Sequence, residues 1–215
     1  MDTTLTILTQ TIADAKQEEH QLGTMASYIE ENLPSLHGSI AISSPSPAKA
    51  LMSFVEDYVD TTPQHIQALN SLAKEAELSE YVQAFLDLSC TYFINPPDIL
   101  EPYRGLQGLL HKAYLAHRLM EELNDKIMTL SGGAALAPMD MSMANIVSHS
   151  LIGDELANQL DHLVLLTIET TPVDTNIFEK RSVRQFLEKR RLKGWEEVNK
   201  RWPCFTKDCA INLQI

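Results

Sequence analysis

Apolar residues open the chain at helical spacing. Leu8, Ile12, Ala15, Leu22, Ala26, Ile29 and Leu33 alternate intervals of four and three over residues 4–33, with one gap in the series. That alternation is the 3.6-residue period of a helix with one face turned inward. Glu19 fills the gap, so a carboxylate is expected on or beside the apolar stripe. Pro34 and His37-Gly38 end the segment. Residues 39–47, Ser-Ile-Ala-Ile-Ser-Ser-Pro-Ser-Pro, read as a loop.

The helical pattern resumes with Leu51, Met52, Val55, Tyr58 and Val59 in a short helix. Thr62-Pro63 reads as a restart, because threonine can cap a helix and proline is best tolerated in its first turn. Ile66, Leu69, Leu72, Ala73 and Ala76 follow on that new segment. Ser79-Glu80 opens a further helix carrying Val82, Phe85, Leu86 and Cys90, and Asn95-Pro96-Pro97 stops it.

Residues 106–130 hold the longest unbroken seam: Leu109, Ala113, Ala116, Met120, Leu123, Ile127 and Leu130. This predicts a central helix, terminated by Ser131-Gly132-Gly133. Asp140 or Ser142 caps a helix with Ile146, Leu151 and Ile152, and Gly153-Asp154 is a candidate break in it. Leu156, Leu160, Leu163 and Val164 continue to about Glu169, Thr170-Thr171-Pro172 is a linker, and Asp174 or Thr175 caps a last helix reaching Trp202. No segment alternates strictly between apolar and polar, so no strand is expected, and no repeat at solenoid periods is found. The predicted fold is all-α, a single-domain bundle of about six to eight helices.

Composition leaves that reading intact. The chain has 215 residues, 44% hydrophobic and 21% charged, close to the globular average and enough for a packed core. No stretch approaches the ~18 consecutive apolar residues of a membrane span, no basic residue precedes Lys16, and the expected address is the cytoplasm. Three cysteines make a poor disulfide framework. Cys90 sits in an apolar pattern, and Cys204 and Cys209 have no second Cys/His pair to complete a structural zinc site.

Charge changes the picture more. The net charge is -12, yet residues 180–201 hold nine basic residues against three acidic, a local +6 that leaves -18 for the remainder. Residues 1–171 are therefore read as an acidic helical bundle, and 172–215 as a basic helix and tail packed on the same domain. So acidic a body disfavours broad phosphate-backbone binding. Within the basic segment Arg181, Arg184, Arg190, Arg191 and Trp195 have two readings. One is an element that engages an acidic partner, RNA or a membrane surface. The other is a face that pairs with the protein's own carboxylates.

Candidate chemistry rests on polar residues where apolar ones are expected. Glu19 fills a seam position. His117 and Glu121 lie four apart beside the central seam with Leu110, Tyr114 and Met128, and His149 shares a face with Ile146, Ile152 and Leu156. Convergence of His117, Glu121, His149 and Glu19 would make a site for iron, manganese or zinc. The same residues read more readily as hydrogen-bonded core and surface pairs.

The architecture resembles that of the ferritin-like di-iron proteins, which turn carboxylates and Glu-x-x-His pairs inward from four helices. Here the nearest elements are Gln159-x-x-His162 and His117 with Glu121, so the resemblance carries over architecture and no ligand. His20 with Leu130-Ser131-Gly132-Gly133 is superficially similar to the haem oxygenases. The aromatic-rich helices of that family are absent, and the glycines read as a helix stop.

There is no Gly-x-Ser-x-Gly elbow, Walker loop or Gly-x-Gly-x-x-Gly turn. By elimination the sequence points to a non-enzymatic bundle that binds another macromolecule, such as a protein, or a small ligand between its helices. The alternatives are a metal-binding bundle or metal-dependent enzyme, and RNA or acidic-partner binding through the basic helix.

Overall fold

The computed structural model describes residues 2–194, 202–203 and 211–213. Within them the chain forms eight helices: α1 (Asp2–Leu22), α2 (Thr24–Asn32), α3 (Pro47–Glu75), α4 (Ser79–Ile94), α5 (Gly105–Leu130), α6 (Ser142–Ile152), α7 (Asp154–Thr170) and α8 (Arg181–Lys193). Short 3₁₀ turns cover Leu33–Ser35, Asp98–Leu100 and Thr175–Glu179. The predicted all-α bundle is the fold. No helix among the described residues is long and apolar enough to cross a membrane.

The unbroken seam of α5 explains its place at the centre. Leu109, Ala113, Ala116, Met120, Leu123 and Ile127 are buried, and α1, α3, α4, α6 and α7 all pack around this helix. Surrounded on so many sides, α5 also buries groups off the seam, among them His111, Tyr114, His117 and Asn124. A stripe narrower than its buried surface marks a helix whose neighbours, not its own pattern, complete its burial.

The predicted first helix is two helices. Gly23 adopts φ 63, a left-handed conformation that glycine enters without a Cβ clash. It serves as N-cap of α2 but has no side chain with which to cap it. Glu19, one turn back and 6% exposed, supplies the cap: Oε2 accepts from Met25 N at 2.8 Å and Thr24 Oγ1 at 2.9 Å, and Oε1 from Ala26 N at 3.0 Å. A carboxylate at a helix N-terminus also complements the helix dipole.

Thr62-Pro63 starts no new helix, and α3 runs through it as one 29-residue element. Proline removes the N–H that would pair with the Val59 carbonyl. The stripe keeps its phase across the site, with Phe54, Val55, Tyr58 and Val59 buried before it and His65, Ile66 and Leu69 after it. Thr61 Oγ1 donates to the Asp57 and Tyr58 carbonyls at 2.9 and 3.2 Å. Packing on both sides of one missing bond outweighs the local break signal.

The loop expected over 39–47 contains strand β1 (Ile40–Ile42), which pairs antiparallel with β2 (Ile211–Leu213), Ile42 opposite Ile211. Three-residue strands are too short for a period-2 signal to register. The last helix also differs from its predicted reach. Asp174 caps the 175–179 turn through Asn176 N at 2.9 Å, and α8 begins at Arg181 and ends at Gly194, φ 69. Trp202 follows outside the helix, and the stretch from Trp195 to Lys200 lies outside the described residues.

α8 is laid on the α3–α4 corner. Val183 and Leu187 are buried, Ser182 Oγ donates to Glu77 Oε2 at 2.8 Å, and Arg190 meets Glu75 at 3.4 Å. Glu77 itself is left-handed, φ 58, and closes α3 as the Leu78 N–H bonds back to the Ala73 carbonyl at 2.8 Å.

Candidate functional site

α6 and α7 leave a cleft of about 760 Å³ on one side of α5. Tyr114, Arg118, Glu121 and Asp125 of α5 form its floor; Ser142, Asn145, Ile146 and His149 of α6 one wall; Asp154, Asn158 and Asp161 of α7 the other. His37, Ser39 and Ser150 close the end toward β1.

Local sequence sets these positions. Tyr114, Arg118, Glu121 and Asp125 recur at intervals of four, three and four, a polar stripe on the central helix. The loop after α5 is fixed by Asn124, whose Oδ1 accepts from Leu136 N at 2.9 Å and Ala137 N at 3.0 Å while Nδ2 donates to the Ala137 carbonyl at 3.2 Å. Gly153, φ 90, then breaks α6 from α7 so that both walls face α5. Tyr28 anchors α6 from the other side by donating to the Leu151 carbonyl at 2.7 Å.

The cleft floor is a charge network. Arg118 Nε donates to Asp161 Oδ1 at 3.0 Å, Nη2 to Glu122 Oε1 at 2.8 Å, and Nη1 to Glu121 Oε2. Tyr114 Oη donates to both oxygens of Asp161 at 3.0 Å. Burial disfavours the charged guanidinium, but the Asp161 and Glu121 carboxylates outweigh it and raise its pKa. Glu121 is raised, because desolvation exceeds the help of Arg118 and Asn145. Asn145 Nδ2 donates to Glu121 Oε2 at 2.8 Å, and its Oδ1 accepts from Tyr58 Oη at 2.8 Å, tying the floor to α3.

Behind the floor lies a buried aromatic group. The rings of Tyr58 and His117 meet edge-on at 4.5 Å, and His65 Nδ1 lies 3.3 Å from His117 Nε2. His65 Nε2 is 3.1 Å from the Pro203 carbonyl, which can only accept. The proton of His65 is therefore assigned to Nε2, leaving Nδ1 to accept from His117 Nε2–H. Burial lowers the His65 pKa to about 4 and that of His117 well below its usual value, the latter also through His65.

The four residues considered for a metal separate. Glu121 and His149 line the same cleft. His117 turns to α3 instead, although it is one turn from Glu121, and Glu19 is committed to capping α2. His149 faces Asn158 Oδ1 at 3.4 Å and Asp154 Oδ1 at 3.5 Å. Among the described residues no group of three or more His, Cys, Asp or Glu side chains is placed to hold a metal ion. A 3.6-residue period brings residues four apart to neighbouring positions, but a helix buried all round sends them to different partners.

The basic candidates largely meet the chain's own carboxylates. Arg184 pairs with Glu179, Arg190 with Glu75, and Arg191 with Glu188 at 2.7 Å. Arg181 is exposed, and Trp195, Cys204 and Cys209 lie outside the described residues. Cys90 is buried, and burial with Asp87 nearby pushes its thiol up to about 11, far from a reactive thiolate.

Tyr114, Arg118, Asn145 and Asp161 are the cleft residues that sequence reasoning passed over. Their signal was present as polar stripes, on α5 with Glu121 and Asp125, and on α7 with Asn158 and Asp161. Nothing in one helix, however, says that another's polar stripe faces it. Compared with known proteins, the chain matches no family model, no curated protein and no solved structure.

Proposed function

We propose that this protein is a non-enzymatic binding protein that holds a small polar molecule in the α5–α6–α7 cleft. The observation carrying this reading is the cleft of about 760 Å³ lined by hydrogen-bonding side chains from three helices. Its volume falls in the range of small-molecule sites, and its floor residues are held in place by one another. A macromolecular partner on α8 has less support, since Arg184, Arg190 and Arg191 already face carboxylates of the chain.

The test is a thermal-shift panel of small molecules grouped by charge, run on the wild type and on Ser142→Trp, which fills the cleft from an exposed position. At least one group should raise the melting midpoint of the wild type and not of the variant. A panel in which no member distinguishes the two proteins would sink the reading.

Glu121 and His149, two of the residues considered for a metal, line one cleft, which gives a metal-binding function as the second reading. Metal analysis of protein purified without an affinity tag tests it, and stoichiometric iron, manganese or zinc lost in His149→Ala would displace the first reading.

A further inference from the structure

The hydrogen-bonding groups of the cleft are unequally committed. The charged donor and those beside it on the floor are engaged: each nitrogen of Arg118 faces a carboxylate, Tyr114 Oη donates to Asp161, and Asn145 Nδ2 to Glu121. An incoming anion would have to displace a carboxylate from Arg118.

The acceptors are not spent. Glu121 receives both of its bonds on Oε2, which leaves Oε1 without one among the described residues. The Asp125 carboxylate has no hydrogen-bond partner there either. Charge runs the same way, with Glu121, Asp125, Asp154 and Asp161 lining the cleft against Arg118, a formal balance of -3 with the histidines neutral. The upward shift of Glu121 agrees, since a carboxylate that Arg118 does not fully compensate gains from a second cation.

We infer that the ligand of the cleft is a small organic cation carrying several N–H donors, an amine held through Glu121 Oε1 and Asp125. This rests on the cleft being the binding site, and it adds the chemical class. A net negative charge gathered in one cleft attracts such cations, and a donor-rich ammonium satisfies the vacant acceptors without disturbing Arg118.

The test is isothermal titration of the full chain with putrescine and spermidine, with citrate, inorganic phosphate and glucose as contrasts. At least one amine should bind saturably, at least tenfold more weakly to both Glu121→Gln and Asp125→Asn and unchanged to Glu31→Gln, an exposed residue of α2. Asp125 is exposed, so its variant reports even where Glu121→Gln impairs folding. Neither amine saturating at millimolar concentration, or binding indifferent to both cleft variants, overturns the inference. Citrate, phosphate or glucose binding that Ser142→Trp abolishes, with no amine binding, overturns the cation class and leaves the cleft as the site. Absence of any response sensitive to Ser142→Trp removes the site itself.

Discussion

Glu19, itself buried, accepts the backbone N–H of buried Met25 across the Gly23 break at 2.8 Å. This one carboxylate turns a continuous apolar seam into two helices, because the first N–H groups of α2 have no intrahelical partner and Gly23 offers no side chain. Glu19→Ala should destabilise the protein by about 2 kcal/mol, the upper end of measured cap losses, since buried donors lose their partner. Chemical denaturation measures it, and a change below ~0.5 kcal/mol would show that the cap contributes little.

Met120 is fully buried in the α5 seam. Met120→Asp places a charge there with no partner and should destabilise by about 4 kcal/mol, at the severe end for a point change. An unchanged melting midpoint would contradict the central position of α5.

Gly108 permits the close return of the chain before α5. A Cβ on it would lie 2.8 Å from the Tyr103 carbonyl oxygen, a backbone atom that cannot swing away. Gly108→Ala should therefore lower stability by about 1–3 kcal/mol by overpacking, despite alanine's better helix propensity. A more stable variant would mean that the 101–105 turn yields freely.

Arg118 compensates Asp161, Glu121 and Glu122 at once. Arg118→Met leaves three carboxylates facing one another and should destabilise by about 2 kcal/mol at neutral pH, short of the fully buried case because the arginine side chain is 21% exposed. The loss should be non-additive with Asp161→Asn, which removes part of the same repulsion. Strict additivity in a double-mutant cycle would show that the network is not coupled.

His65 and His111 are each lowered to about 4 by burial, and His117 is lowered well below its usual value by burial and by His65. The unfolded chain takes up these protons near pH 6.5, whereas the folded chain refuses them until about 4. Their contribution is complete above pH 6.5 and is lost as pH falls through that window, up to about 3 kcal/mol for each of His65 and His111 from the width of the shift. Denaturation midpoints should fall steeply from pH 6.5 to 4, and more shallowly in His111→Phe. A flat profile over that interval would mean the histidines accept protons in the folded state.

The sequence by itself determined the all-α class, the central helix and its buried seam, the carboxylate within the first stripe, and the break at Gly153. Each is written in one segment's spacing, because a helix repeats its own face every 3.6 residues and glycine enters backbone conformations closed to other residues. The Gly23 break escaped notice because Leu22 and Ala26 keep the seam's phase across it. Pro63 misled because a local stop signal carries no information about the packing of Val59 and Ile66 on either side.

Only the tertiary structure decided which polar residues meet. His117 and Glu121 are one turn apart, yet one turns to His65 on α3 and the other to Arg118 and Asn145 in the cleft. Asp161 reaches Arg118 across 43 residues, and Ile42 pairs with Ile211 across most of the chain. Side-chain spacing along one helix fixes which residues share its face. What that face meets depends on how several helices pack at once, and no local pattern encodes it.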